Sequence, residues 1–158
     1  MAAPPVSARV IPSGFKMPDG FKTLITFANN PAIQIWEETV KPVGWDGGDK
    51  IDTTTMHNIT YRTFAARKLK TIADGGATFA FDPDCWTGLQ QEINLEQSIT
   101  FTFPDHSQLA VWGYLQKFEN PDFKEGEMPK ATGTIVATNW DPVNFVEAGP
   151  NYVPAPGT

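Results

Sequence analysis

Gly44-Trp45-Asp46-Gly47-Gly48-Asp49-Lys50-Ile51-Asp52-Thr53-Thr54-Thr55-Met56-His57 is the stretch around which the rest of the chain must be arranged. Before it, Ile33 to Val40 reads as a strand; after it, a threonine-rich run has β propensity, so the flanks read as arms of one long hairpin. A tight turn needs only a dipeptide such as Asn-Gly, whereas Lys41 to Asp49 holds Pro42, three glycines, Trp45 and two carboxylates. Such a loop either contacts something or folds Trp45 back on its own sheet. Asp46, Asp49 and Asp52 recur at every third residue. A calcium loop needs closer ligand spacing, a terminal bidentate Glu and flanking helices, so they read as solvated turn acids.

Outward from this stretch the pattern is β. Thr23 to Phe27 is a short strand ended by Asn29-Asn30-Pro31, and a second hairpin is expected from Leu69 to Ile72 and Ala77 to Phe81 around Asp74-Gly75-Gly76. The helix candidate is Asp82 to Ile93: Asp82 caps it, Pro83 suits its first position, and Trp86, Leu89 and Ile93 share a face. Gly88 weakens it by about 1 kcal/mol relative to Ala, so it must lean on the sheet. Ser98 to Phe103 alternates strictly, Leu109 to Phe118 is apolar on both faces and should be central or covered by a neighbouring subunit, Pro121 to Gly126 is an acidic loop, and Ala131 to Thr138 closes the domain.

The ends differ in composition. Eight of the 14 prolines lie in residues 1–20 and 141–158, so both ends read as extended arms, 1–20 and 139–158, around a β domain at 21–138. They carry Phe15, Trp140, Phe145 and Tyr152, which a solvated linker would not need. A chain of 158 residues can bury ~70 % of its unfolded surface as one domain. The net charge of −6 argues against gripping phosphate backbones, and Arg62, Arg67, Lys68 and Lys70 read as a solvated basic face. Cys85 is the only cysteine, which rules out an internal disulfide and reads as a small packed residue. No signal segment and no membrane-spanning run is visible, so no membrane partner is expected.

Catalytic chemistry finds little purchase. His57 and His106 have no zinc-ligand spacing with each other or with Cys85, Glu37 and Glu38 point to opposite faces of a strand, and the phosphate-cradling and nucleophile-elbow motifs are missing. The expectation is a protein that is not an enzyme and uses no cofactor or metal.

The order of elements, with the phrases Gly47-Gly48-Asp49-Lys50-Ile51-Asp52-Thr53-Thr54 and Phe81-Asp82-Pro83-Asp84 and a closing Ala131-Thr132-Gly133-Thr134-Ile135, resembles the major tail tube protein of long-tailed phages over residues 21 to 138. That family resembles the tube protein of type VI secretion in fold. The resemblance implies a mainly β sandwich or small barrel with one flanking helix, a long hairpin loop and extended terminal arms. It implies hexameric rings stacked around a tape measure protein, capped by tail terminator and distal tail proteins. The protein would reside in the virion tail after assembly in the host cytoplasm, and DNA would pass through without specific binding. Contacts between subunits and rings would fall on the hairpin loop and arms: Val43, Trp45, Asp46, Asp49, Lys50, Phe15, Trp140, Phe145 and Tyr152. Glu37, Glu38, Asp49 and Asp52 are candidates for an acidic lumen, because the long hairpin runs along the wall in related tubes. Two other readings stand beside this one: a secretion-type tube, and a monomeric carbohydrate-binding β-sandwich with Trp45 and Trp112 as sugar platforms.

Overall fold

The computed structural model describes residues 19–20 and 22–156. Strands β1 (Leu24–Phe27) and β2 (Trp36–Lys41) lead into an excursion of short strands, β3 (Gly44–Asp46), β4 (Ile51–Asp52), β5 (Phe64–Ala65) and β6 (Thr71–Ala73), which returns as β7 (Gly75–Ala80). The helix α1 (Pro83–Glu92) follows, then β8 (Gln97–Thr102), β9 (Gln108–Glu119) and β10 (Lys130–Ala137). The C-terminal segment contributes β11 (Trp140–Asp141), β12 (Val146–Glu147) and β13 (Asn151–Val153). Among the described residues no helix is long and apolar enough to cross a membrane.

One antiparallel sheet in the order β1-β8-β9-β10-β7-β2 forms the body, so the protein is mainly β with one helix on a curled half-barrel. β9 is its central strand and changes partners along its twelve residues. On one side it pairs β8 from Gln108 to Gly113; on the other it pairs β13 from Gln108 to Ala110 and β10 from Gly113 to Glu119. The sheet curls until its two end strands meet. There the Ile25 N–H donates to Glu37 Oε1 at 3.0 Å, a side-chain bond across a seam without a strand ladder. A bulge in β2 between Glu37 and Thr39 kinks the strand at this seam, and Glu38 instead pairs with Lys130 Nζ at 2.8 Å.

The concave face is the core, built by strand alternation. In β8 Gln97, Ile99 and Phe101 are buried while Ser98, Thr100 and Thr102 are half-buried on the other face. Phe79, Val111, Leu115 and Ile135 join them from neighbouring strands, and α1 lays Leu89 into the same core. Each such side chain contributes about 1.5–3 kcal/mol on burial. α1 begins as the composition indicates: Asp82 is extended and its Oδ1 accepts from the Asp84 N–H at 3.0 Å. Of the apolar stripe, Leu89 is buried and Ile93 half-buried, but Trp86 stays exposed and meets Phe81 edge-on at 5.9 Å. Gly88 has a packing reason, since a β-carbon there would lie 3.2 Å from Ile33 Cγ1. A buried polar chain sits under the helix: Gln97 Nε2 donates to Glu92, and Gln97 Oε1 accepts from the Asn29 N–H.

Two expectations about pairing change. Residues 33–40 do not pair with the threonine run. β2 pairs β7, β3 pairs β6 and β4 pairs β5, in a nested register from Trp36↔Ala80 to Asp52↔Phe64. This is one long, interrupted hairpin whose tip is residues 53–63, not 41–49. The second hairpin around Asp74-Gly75-Gly76 does not exist, because β6 and β7 lie on the same arm of the long one. Gly75 and Gly76 serve close approach instead: β-carbons there would lie 2.7 Å from the Lys41 carbonyl oxygen and 2.5 Å from that of Gly133. The C-terminal stretch, expected as an extended arm, folds into the β11–β12 hairpin and then adds β13 to β9. Residues 1–18 of the expected N-terminal arm, Phe15 included, lie outside the described residues.

Candidate assembly surface

Beyond β2 and β7 the hairpin touches the sheet only at its root, where β6 lies against β10 and Ile72 packs on the core, and most of residues 44–73 form an arm held by its own backbone and side chains. Near its tip the Thr53 N–H donates to the Thr63 carbonyl at 3.0 Å and the Thr63 N–H to Thr54 Oγ1 at 3.0 Å. Asn58 closes the turn, donating from Nδ2 to the Tyr61 carbonyl at 2.8 Å and accepting from the Thr55 N–H at 2.9 Å. The threonines therefore make a hydroxyl ladder across the tip. Asp52 Oδ1 accepts from the Thr54 N–H at 2.9 Å; the Thr54 hydroxyl and then its amide hold the carboxyl below its ordinary value, and Arg62 lies 3.6 Å away. Lower on the arm Arg67 Nε donates to the Asp49 carbonyl at 2.8 Å, and Lys50 Nζ sits 3.7 Å from the Phe64 ring centroid.

With the polar groups satisfied internally, the arm presents apolar side chains to solvent. Met56 and Ile59 are 100 % exposed, Leu69 83 % and Trp45 59 %. Tyr61, Ile51 and Phe64 are exposed as well. At the arm's root Trp45, Leu69 and Ile72 share a groove with Asn139, Glu147, Gly149 and Pro150 of the C-terminal segment. The β11–β12 hairpin is tied by Asp141, which accepts from the Val143 and Asn144 N–H groups at 2.9 and 3.2 Å and from Asn144 Nδ2 at 2.8 Å. It presents Val143, Phe145 and Val146, with Trp140 at its start and Tyr152 on β13, all exposed. Hairpin and C-terminal segment thus meet in one surface.

Trp45, Asp46, Asp49 and Lys50 are exposed on the arm, and Trp140, Phe145 and Tyr152 on the C-terminal segment. Val43 is removed from the surface: it is 4 % exposed and packs in the core. Asp46 Oδ1 caps the Gly48 N–H at 2.8 Å, so this acid and Asp52 each serve a local turn. The four lumen candidates lie in different parts of the long hairpin. Glu37 is at the seam, Glu38 is paired with Lys130, and Asp49 and Asp52 stand on the arm. Trp45 is exposed on the arm, and Trp112 lies half-buried in the middle of β9. No local signal marks Met56, Ile59 and Tyr61, which only a tip at 53–63 exposes; Leu69, expected to open a strand, lies in the exposed bend before β6.

Cys85 lies half-buried, donating from Sγ to the Gln34 carbonyl at 2.7 Å; burial, then the Asp82 carboxylate, pushes its thiol pKa up, which suits packing and not nucleophilic chemistry.

No family model and no curated protein sequence matches the chain. Among solved structures, a chain of one described as "Virion of native gene transfer agent (GTA) particle" has a similar fold, with a TM-score of 0.60 and 10 % identity over 86 % of this chain and 98 % of that one. At that identity the likeness is one of fold.

Proposed function

We propose that the protein is a structural subunit of a phage-like virion, and within it a tail tube protein whose hexameric rings stack into the conduit for genome delivery. The observation that carries this reading is the arm at 44–73: a self-satisfied polar ladder displays Met56, Ile59, Tyr61 and Leu69 to water beside an apolar C-terminal hairpin. Concentrated apolar exposure of this kind is what a subunit covers by association. The fold likeness to a chain of a virion particle, extending over 98 % of that chain, supports the same direction. In the assembly the arm and the β11–β13 region would contact neighbouring copies in and between rings. The role is mechanical and not catalytic. A tape measure protein within the tube and terminator and distal tail proteins at its ends are the partners this role requires, with the host cytoplasm as the place of assembly and the virion tail as the destination.

Negative-stain microscopy and light scattering of the purified chain over a concentration series test the proposal. Rings or tubes of uniform diameter are expected. A particle that stays monomeric at every concentration, and is missing from purified tails, would overturn it.

A further inference from the structure

A second surface lies at the N-terminal end of α1. The segment 30–36 crosses the helix there, where Gly88 lets Ile33 approach, and leaves a groove lined by Ile33, Trp36, Asp82, Asp84 and Gly88. Trp36 is exposed and its indole N–H reaches Asp82 Oδ2 at 3.4 Å. Among the described residues neither Asp82 nor Asp84 has a Lys or Arg ion-pair partner. The groove therefore offers Ile33 and an open indole, the polar Asn30 and Gln34 beside them, and two carboxylates without a cation.

The arm carries the complement. Residues 44–73 hold five of the chain's 12 Lys and Arg but only three of its 18 Asp and Glu. Lys50, Arg62 and Arg67 are engaged within the arm, whereas Lys68 and Lys70 are exposed, without an ion pair among the described residues, on either side of the exposed Leu69. In its own chain this bend borders Asn139, Glu147 and Pro150, not α1, so the groove is open to another molecule. We infer that Lys68-Leu69-Lys70 of one copy docks in the Trp36–Asp82–Asp84 groove of a second copy. Leu69 covers Ile33 and the indole, and the two ammonium groups meet the carboxylates and the ring face. Arm and groove are different surfaces of one chain, so the contact is head-to-tail and propagates into a ring or a stack. The inference rests on the proposed self-assembly and names the contact within it.

The test uses two full-length variants. Lys68→Ser with Lys70→Ser disables the arm without making it complementary to a lysine, and Trp36→Ala with Asp84→Lys disables the groove while sparing the Asp82 cap. Circular dichroism checks that each keeps the native spectrum. Sedimentation velocity should show each variant needing roughly tenfold or more protein to assemble than the unchanged chain. Mixed, they should form a one-to-one heterodimer, because each supplies the surface the other lacks. Assembly of both variants at the concentration of the unchanged chain, or a mixture sedimenting as two independent species, would overturn the contact while leaving the tube reading intact. An unchanged chain that never assembles would remove both.

Discussion

A β-carbon at Gly76 would sit 2.5 Å from the Gly133 carbonyl oxygen, so this residue is read by what it lets come near and not by its own backbone angle. Gly76→Ala should push β7 and β10 apart and cost about 1–3 kcal/mol in urea unfolding; unchanged stability would sink the close-approach reading. Glycine pairs beside Asp carry the same local signature whether they turn a chain or admit a neighbouring strand, which is why Asp74-Gly75-Gly76 misleads as sequence. Asp141 is a different case. Burial pushes its carboxyl pKa up, but hydrogen bonds from the Asn144 side chain and the Val143 and Asn144 amides outweigh it, and the group is held below its ordinary value. A depressed folded pKa stabilises above the unfolded value of about 3.9 and is lost as pH falls through the folded one. The β11–β12 hairpin should therefore keep its amide protection at neutral pH and lose it in acid below about pH 4. The probe is the Ala148 N–H, bonded to the Asn139 carbonyl at 2.9 Å. Asp141→Asn should remove the pH dependence; protection that falls with acid as steeply in that variant would assign the loss to another group.

The arm and α1 show opposite balances between local and tertiary support. α1 was legible: an Asp cap, Pro at its start and Leu89 on the packing face are local signals, and the sheet supplies the rest. The arm has paired backbone but almost no core, and opening it exposes little that is not already wet, so its local stability is low. Trypsin should nick it first, after Arg62, Arg67, Lys68 or Lys70, and leave a body that elutes intact under native conditions. Early cleavage at Lys117 or Lys130 in the sheet would contradict this. The Ile33 to Val40 strand is present as β2 (Trp36–Lys41), whereas the threonine run, expected as β, is not strand: β4 ends at Asp52 and residues 53–55 lie in the hairpin tip. Strand pairing is set by which partner completes the buried face, and a Thr-rich stretch with no buried face leaves its register open in sequence.

At the scale of the whole molecule, folding and association rest on separate residues. Core side chains such as Phe101, Ile99, Val111 and Ile135 lie outside 47–70, whereas the exposed apolar groups Met56, Ile59, Tyr61 and Leu69 lie within it. Replacing residues 47–70 with an Asn-Gly turn should leave the thermal midpoint within a few degrees, about 1 kcal/mol or less, and abolish rings and tubes. A chain that unfolds on this excision would show the arm to be part of the folding unit. The β class, the alternation of β8, the central character of β9 and the capped helix are legible along the chain, because periodicity and capping act between residues close in sequence. Tertiary structure alone decided that the hairpin tip is at 53–63, that Val43 is core, that Glu37 bridges the seam to Ile25 and that the C-terminal stretch adds a strand to β9. Each depends on which distant strand lies alongside, and that choice is made by burial of the whole curled sheet, not by any local stretch.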